Sequence, residues 1–440
     1  MAEPGRRSYA ALFRNANYLR VFSAGLGSVA GSAIAGVCLI WLVAERTGSA
    51  LDVGLLGVSW GASALVFSVF GGTLVDRYDR RRLMIGSDVA RAVAMAAVTL
   101  ELAFRGFDLY SLLGAYAVVG AFTTIFNPAE QALVPRLVGA SWVADANGLV
   151  RSSRSALQFV GSAVAGGLLV TVGPVAGLGA NAATFALSAA LLTGMRLPGG
   201  GAPQRGPRPP SYLADVVGGF RWLWGARGFF QLTLSATFFN FCWTVVTTFL
   251  VFFATLVLGG GALEYALLLA AEVAGTGVGA LLVGRVGAVR WAGLAWTIPY
   301  GAVSGALVVA LAVRPSVELG VVALFALGAL GGFAGTAWLT AAQLLVPTEM
   351  QGRYFGVDNL GSIAILPVGQ IGGALLIAAT GPRTTYLLVG VLWVIAGLAF
   401  LLPRSLRQLG YRPETREPVT PRSAADGAGT SVSPEGTRAG

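Results

Sequence analysis

Four carboxylates of this sequence lie in or beside apolar stretches, where an acidic side chain could take up and release a proton. Glu272 lies deepest, with Leu267–Ala271 before it and Val273-Ala274 after it. An unpaired charge inside a membrane costs several kcal/mol, so such a residue must be paired, protonated or exposed to water. We interpret Glu272 either as a proton-carrying residue or as a partner in a structural hydrogen bond to a neighbouring helix.

The other three carboxylates are Asp76, Asp88 and Glu130. Asp88 and Arg91 are three residues apart on a predicted helix, which favours a local ion pair. Glu130 comes near the inner end of a predicted span, where an interfacial position is expected. The chain has no histidine, so no imidazole titrates near neutrality and any proton relay must use carboxylates. Glu272 is our first candidate for proton coupling, followed by Asp88 and Glu130.

The composition indicates what kind of protein must position these residues. Of 440 residues, 55% are apolar and only 11% are charged, whereas soluble domains carry about 25% charged residues. A membrane-crossing helix needs about 20 apolar residues. The chain therefore predicts an all-α integral membrane protein with twelve spans, at 17–45, 51–75, 83–104, 109–128, 150–172, 175–195, 227–258, 264–284, 290–312, 317–346, 354–379 and 384–403.

The arginines set the orientation of these spans. All 30 basic residues are arginine, and only Arg46, Arg105, Arg314 and Arg383 fall at the outer ends. The remaining 26 fall at inner ends, which places both termini in the cytoplasm and the protein in the cell inner (plasma) membrane. The net charge of +10 is explained by this placement, so we expect no nucleic acid partner.

Composition shifts divide the chain into five parts. Pro198–Pro210 is rich in proline and glycine and predicts a cytoplasmic tether, and the apolar and aromatic residues of Tyr212–Trp224 suit the inner membrane surface. The tail after about Gly410 has no apolar periodicity, so we expect disorder. The predicted parts are an N-terminal segment (1–16), a six-helix bundle (17–196), a linker with an interfacial segment (197–226), a second six-helix bundle (227–403) and a disordered tail (404–440).

The two predicted bundles are related in sequence. Ala129–Pro135 recurs as Ala341–Pro347, and Gly173-Pro174 recurs as Gly381-Pro382. Ordered matches at a nearly constant offset indicate parallel six-helix repeats, an arrangement known from transporters.

A charged hairpin follows the second span, at Gly72-Thr-Leu-Val-Asp-Arg-Tyr-Asp-Arg-Arg-Arg82. It resembles the G-x-L-x-D-R-x-x-R-R loop of the major facilitator superfamily, and the resemblance covers roughly residues 11–403. Further stretches resemble the drug-exporter branch, which includes macrolide and siderophore efflux permeases: Arg14–Arg20, Thr47–Ala50, Asp88–Ala92, Asn127–Ala129 and Gly352-Arg353. The chain departs from relatives where Gly31-Ser32 replaces an acidic position on the first helix, and its antiporter signature on the fifth helix is loose.

The resemblance implies a conformational latch. In the family the aspartate matching Asp76 docks against the start of helix eleven when the cytoplasmic side is closed, and a carboxylate is stabilised at a helix N-terminus. Solvation or membrane orientation alone would also explain the charges. The predicted latch comprises Gly72, Asp76, Arg77, Arg80, Arg81 and Arg353.

The resemblance also places helices one, four, seven and ten along the pathway. Helix seven reads Phe238–Thr244, with a single amide among aromatic residues, which suits bulky lipophilic cargo. Packing or lipid contact is the alternative for each of these positions. The candidates for the substrate cavity are Ser32, Trp41, Thr124, Asn127, Asn240, Trp243, Thr336 and Thr340.

The expected function is secondary active transport by alternating access, with proton-coupled export of lipophilic drugs or secondary metabolites. The alternatives are transport of a lipid, lysolipid or siderophore, and a non-transporting receptor or scaffold. We expect no enzyme activity, metal or cofactor, with the proton gradient as the energy source. The expected partners are a small lipophilic substrate, protons and membrane lipids, and the protein is expected to be a monomer. Cys38 and Cys242 lie in apolar runs and are expected to be small core residues.

Overall fold

The computed structural model describes residues 10–139, 142–195, 212–286, 296–402, 410–411 and 418–419. Ten helices in these ranges are long and apolar enough to cross a membrane, and two more helices occupy the predicted fifth and ninth spans. In chain order the twelve are α1 Ala16–Thr47, α2 Ala50–Arg77, α3 Arg80–Phe104, α4 Leu109–Val138, α5 Val143–Thr171, α6 Pro174–Thr193, α7 Arg227–Thr248, α8 Ala262–Val286, α9 Ser304–Val313, α10 Val317–Leu345, α11 Thr348–Thr380 and α12 Pro382–Ala399.

Shorter elements join these helices. They are the helices Ala10–Phe13, Tyr212–Gly225 and Leu250–Phe252, and the π-helical segments Phe253–Val257 and Trp296–Val303. In the tail, β1 (Gly410–Tyr411) pairs antiparallel with β2 (Pro418–Val419), so that Gly410 lies opposite Val419. The rest of the tail after residue 402 lies outside the described residues. The predicted all-α class is confirmed, with this two-residue pairing as its β component.

Polar residues at the span boundaries start several helices. The side-chain oxygens of five N-cap residues accept hydrogen bonds from first-turn amides, which satisfies donors that have no partner within the helix: Asn15, Ser49, Asp79, Asp108 and Ser316. At the start of α4, the hydrogen bond from the Ser111 amide holds the pKa of the Asp108 carboxyl below its usual value. These caps explain why helices begin within a few residues of the predicted boundaries.

The repeated Gly-Pro pair forms the same joint in both halves. Gly173 has φ 83° between α5 and α6, and Gly381 has φ 79° between α11 and α12. Glycine adopts this left-handed region without the Cβ clash of other residues. The following proline occupies the first helical turn, where its missing amide hydrogen costs nothing. The sequence repeat is therefore a repeat of backbone geometry.

The fourth span is longer than predicted. The prediction ended it at residue 128, but α4 continues through Pro128 and Pro135 to Val138. Proline inside a helix costs about 3 kcal/mol. Here Phe126, Ala129 and Leu133 pack into a buried cluster with Tyr18 and Met84, and burial of a large apolar side chain contributes about 1.5–3 kcal/mol. Tertiary packing thus outweighs the local cost of the prolines.

Helix packing produces two groups of six. In the first, α1 packs on α5 and α6, α4 packs on α2 and α3, and α3 packs on α6; in the second, α8 packs on α10, α9 on α12 and α7 on α11. Two further pairs join the groups, namely α2 with α11 and α5 with α8. Cys38 and Cys242 are buried and free, as predicted.

A surface helix, Tyr212–Gly225, precedes α7. Its Gly219 lies directly on the backbone of Arg353 in α11, and Trp222 packs edge-on to Tyr354 at 5.9 Å. Phe220 and Trp224 are exposed, so one aromatic face is left for the membrane surface. The predicted tether 198–210 lies outside the described residues, and the five-part division of the chain stays a prediction.

Candidate functional site

A fully buried ion pair stands inside the first group of helices. Arg91 Nη2 donates to Asp88 Oδ1 within α3, and Ser188 Oγ of α6 donates to Asp88 Oδ2 at 2.5 Å. The Arg91 guanidinium lies between the rings of Phe126 and Phe185, 4.6 and 4.4 Å from their centroids. Cation–π contacts of this kind stabilise a desolvated cation by about 2 kcal/mol. The predicted Asp88–Arg91 ion pair is confirmed, and it joins three helices.

Glu130 corrects the expectation of an interfacial position. Its side chain is buried, and Arg154 Nη2 of α5 donates to its Oε2. The carboxylate lies against α1 at Gly25, where an added Cβ would stand 2.6 Å from Oε1. The reason for the difference is that α4 continues past Pro128, which carries Glu130 into the bundle. Arg154 was assigned to an inner helix end, yet it reaches the same buried site.

The two pairs form one buried group at one depth. Asp88 lies eight residues after the start of α3, and Glu130 lies eight residues before the end of α4, which is about 12 Å at 1.5 Å per residue. Arg91 is also within electrostatic reach of Glu130. Two carboxylates and two guanidiniums sum to zero charge, which makes their burial in a membrane protein tolerable. Arg154 remains about one-quarter exposed, so the group is less enclosed at the α5 side.

Glu272 occupies a different environment in the second group. It lies ten residues into α8, is 8% exposed, and its Oε1 accepts a hydrogen bond from Thr276 Oγ1 at 3.1 Å. Gly328 of α10 packs on the Glu272 backbone so closely that a Cβ there would overlap its carbonyl oxygen. Within the described ranges, no basic side chain lies within ion-pair distance of Glu272. The hydrogen bond that the described part of the chain shows for this carboxylate comes from its own helix, because Thr276 also belongs to α8.

The predicted latch residues are found in three different situations. Arg80 donates to the Ala132 carbonyl at 3.2 Å, and Arg81 donates to the carbonyls of Leu192 and Thr193 at 2.9 and 2.5 Å. Both therefore satisfy carbonyls near helix ends within their own half. Arg77 is exposed at the end of α2, and Arg353 is exposed near Gly218 of the surface helix. The surroundings of Gly72 and the side chain of Asp76 lie outside what the structure describes, so the latch stays a prediction.

All eight cavity candidates are half-buried. Trp243 borders an aromatic cluster in which Tyr300 is central, with ring centroids 6.5 Å from Trp243 and 5.7 Å from both Phe239 and Trp393. Thr340 donates to the Thr336 carbonyl at 2.9 Å. The half-buried set is Ser32, Trp41, Thr124, Asn127, Asn240, Trp243, Thr336 and Thr340.

Two seams join the halves at the predicted outer ends of the helices. At the first, Gln370 of α11 inserts its side-chain amide at Gly57 of α2, where an added Cβ would overlap it. At the second, α5 and α8 meet where a Cβ on Gly166 would overlap Ala266. Trp41 of α1 stacks on Tyr265 of α8, with ring centroids 5.8 Å apart. Trp41 thus lies at the outer contact between the halves.

Several of these residues were missed by the sequence analysis. Arg154 is a charged residue inside a predicted span, so the rule that selected Glu272 would have found it. Gln370, Tyr265 and Tyr300 carried no such signal, because their importance depends on which helix lies opposite. Within the described ranges, no group of three or more His, Cys, Asp or Glu side chains could hold a metal ion.

The sequence matches a known protein family and is similar to several characterised proteins. The sequence model of the Major Facilitator Superfamily matches residues 21–366. The chain is 26% identical to the multidrug efflux pump Tap of Mycobacterium tuberculosis, over 91% of this chain and 97% of that protein. It is 24% identical to macrolide efflux protein A of Streptococcus pyogenes, over 88% and 95% of the two chains.

Solved structures share the fold. A bacterial homologue of the human lysosomal transporter Spinster, in an inward-facing and unoccupied conformation, superposes with a TM-score of 0.69 at 16% identity, covering 94% of this chain and 100% of that one. The nucleoside transporter NupG superposes with a TM-score of 0.68 at 13% identity, covering 88% and 98%. The predicted drug-exporter resemblance and the predicted fold are confirmed.

Proposed function

Because the chain belongs to the Major Facilitator Superfamily, we propose that it is a secondary active transporter that exports lipophilic drugs or secondary metabolites in exchange for protons. The observation that carries this proposal is the full-length similarity to two efflux proteins, Tap and macrolide efflux protein A. The half-buried Trp243 and Asn240 on α7 support it, since aromatic side chains with few polar groups suit lipophilic cargo. These relatives are transporters, and the chain is not an enzyme.

We further propose that the protein works by alternating access and that the structure represents its state closed toward the outside. The contacts Gly57–Gln370, Gly166–Ala266 and Trp41–Tyr265 all lie in the outer parts of their helices, given the predicted topology. These seams must separate when the pathway opens outward. The Asp76 latch, with Arg353 as its partner, would then hold the inner side closed.

Glu272 is our proposed proton carrier. A buried carboxylate without a nearby cation is costly when charged, which suits a group that holds a proton and releases it when water arrives. Asp88 and Glu130 remain the other candidates, but each has an arginine partner that stabilises its charged form. The proton gradient is thus the proposed energy source, with no cofactor.

A second candidate function is export of a lipid, a lysolipid or a siderophore. It is favoured by an apolar cavity of about 250 Å³ at the seam between α5 and α8, lined by Gly166, Ala266 and neighbouring apolar side chains. A lipid-like substrate would enter the pathway laterally at such a seam. A non-transporting scaffold is disfavoured, because the relatives Tap and macrolide efflux protein A, which match nearly the whole chain, are efflux proteins.

The deciding experiment is efflux from cells that lack their own pumps and express this chain. We expect a macrolide and a lipophilic dye to accumulate less in these cells, and a proton uncoupler to abolish the difference. Unchanged accumulation of every compound tested, with the protein present in the membrane, would reject drug export. Labelled lysolipid, measured in parallel, tests the second candidate.

A further inference from the structure

A second ligand site lies at the outer contact between α1 and the segment that follows α7, and we propose that it binds a small lipophilic monocation. The site is a cavity of about 230 Å³, here called the outer pocket, lined on one side by Trp41, Ala44 and Glu45 and on the other by Val251, Phe252 and Leu256. It shares Trp41 with the predicted substrate cavity but lies further out than the other seven candidates, because Glu45 lies only two residues before the end of α1.

The charge of the outer pocket is negative. Glu45 contributes the one charged side chain among the lining residues. It lies four residues after Trp41, so both side chains project from the same face of the helix. Glu45 is exposed, and no ion pair holds it within the described ranges. The neighbouring Arg46 points about 100° away around the helix and does not line the cavity.

The aromatic wall of the outer pocket is held rigidly. The Trp41 indole stacks on Tyr265 at 28° between ring planes, and Tyr265 itself is 1% exposed. Tryptophan is the best aromatic partner for a cation, and a fixed ring loses little freedom when a ligand binds. Phe252 and Val251 are buried and form the floor, whereas Leu256 is 69% exposed at the rim.

Size and composition select the ligand. Drug-sized ligands occupy cavities of about 300–1,000 Å³, so about 230 Å³ suits one aryl group with a quaternary ammonium rather than a macrocycle. The apolar floor accepts the aryl group, and the ammonium lies between the Trp41 face and the Glu45 carboxylate. An anion would meet only repulsion here, and a neutral ligand would gain nothing from Glu45.

The location of the outer pocket gives it a consequence for conformation. Its walls belong to both halves, so it is complete only while the outer ends of the helices are together. A ligand that binds one of two states stabilises that state by its differential affinity. An external lipophilic cation would therefore hold the protein closed toward the outside.

The test is a binding titration of phenyltrimethylammonium against the purified full chain in nanodiscs of zwitterionic lipid. Binding is measured by ligand-observed NMR. We expect Glu45→Gln to weaken binding at least fivefold. The matched control is Glu318→Gln, which removes an equally exposed carboxylate in the first turn of α10, and it should change binding less than twofold. Because Glu45 is exposed, its substitution does not threaten folding, and an unchanged melting temperature confirms this.

Trp41→Leu provides an independent arm and should also weaken binding at least fivefold. The proposal is overturned if Glu45→Gln weakens binding less than fivefold. It is also overturned if Glu318→Gln weakens binding as much as Glu45→Gln does, since the cation would then respond only to general surface charge. The titration requires no transport, so its result stands apart from whether the protein exports drugs.

Discussion

At the scale of single residues, the two halves hold their buried carboxylates differently. Asp88 and Glu130 each have an arginine partner, whereas Glu272 has the hydroxyl of Thr276. A paired carboxylate keeps its charge, because protonating it would leave the buried guanidinium of its partner without a counter-charge. Glu272 can change its protonation without disturbing another charge, which is why we assign proton transfer to it.

Glu272→Gln should therefore separate binding from coupling. The amide imitates the protonated carboxyl, so we expect substrate-driven downhill exchange to persist and proton-driven uphill efflux to disappear. The measurement is substrate flux in proteoliposomes with and without an imposed pH gradient. Glu264→Gln, at a half-buried position in the first turn of the same helix, serves as the control and should retain uphill efflux. If Glu272→Gln also retains it, Glu272 is structural and Glu130 or Asp88 becomes the candidate.

Glu130 and Arg154 should behave as a mutually dependent pair. Glu130→Leu leaves a largely buried guanidinium without its partner, and we expect a loss of about 3 kcal/mol in the free energy of unfolding. Arg154→Leu added to that variant should restore most of the loss. Thermal unfolding of the single and double variants in detergent measures the coupling. Additive losses in the double variant would show that the two side chains do not stabilise each other.

Among the helices, the pairs that join one half to the other would carry the change of state that we propose. α2 and α11 approach so closely at Gly57 that the amide of Gln370 occupies the space of a side chain. In membranes, small residues at helix contacts increase van der Waals packing, because no hydrophobic effect drives helices together in lipid. A seam of this kind is stable when closed, and only van der Waals contacts and weak hydrogen bonds have to break for it to open.

Gly57→Leu should hold this seam open. The new side chain overlaps Gln370, so we expect the outer ends of α2 and α11 to separate and the outward-open population to rise. The measurement is the distance between spin labels at Leu51 and Ala379, obtained by pulsed electron paramagnetic resonance in a variant that lacks Cys38 and Cys242. Gly114→Leu is the matched control, because Gly114 is exposed with open space around it. An unchanged distance distribution in Gly57→Leu would remove this seam from the gating scheme.

At the scale of the whole molecule, two similar six-helix groups are joined by seams and by a linker. The Gly-Pro joints at Gly173 and Gly381 have nearly equal dihedral angles, so the halves repeat in backbone as well as in sequence. When two similar halves enclose a pathway, rocking of one half against the other can close the outer opening and open the inner one. The charged hairpin after α2 is where we expect the inner opening to be controlled.

Asp76→Asn should slow transport without unfolding the protein. The amide keeps the shape of the side chain but loses the charge that favours a helix N-terminus. We expect severe loss of efflux at normal membrane abundance, measured with a lipophilic dye at matched expression. Asp79→Asn is a useful comparison, because Asp79 caps α3 within its own half and should affect stability rather than rate. Efflux at the level of the unchanged protein in Asp76→Asn would dismiss the latch.

Both termini and the linker 198–210 should face the cytoplasm. The prediction rests on the 26 arginines at inner helix ends, since cytoplasmic segments near spans retain arginine. Single cysteines placed in the linker should react with a membrane-impermeant maleimide only after the cells are permeabilised. Ready labelling in intact cells would reverse the orientation and exchange the inner and outer seams.

The properties that could be predicted from the sequence are those that depend on local composition. Hydropathy alone places most of the spans, and ten helices of the described ranges are long and apolar enough to cross a membrane, because an apolar run of sufficient length partitions into lipid whatever surrounds it. The Gly-Pro joints and the N-caps are equally local, since they depend on the backbone freedom of Gly173 or on the carboxylate of Asp79 next to its own helix. The family was predictable for a similar reason, because the hairpin motif is contiguous.

Which side chains meet could not be predicted, because it depends on how the helices pack. Glu130 and Arg154 belong to consecutive helices, yet their pairing depended on α4 continuing through two prolines, and packing rather than propensity determined that. Gln370 and Gly57 are far apart in the chain, and no periodicity indicates that an amide on α11 fills a gap on α2. Contacts between helices depend on rotation and depth, and each apolar face of a membrane helix is compatible with several neighbours until the whole bundle excludes all but one.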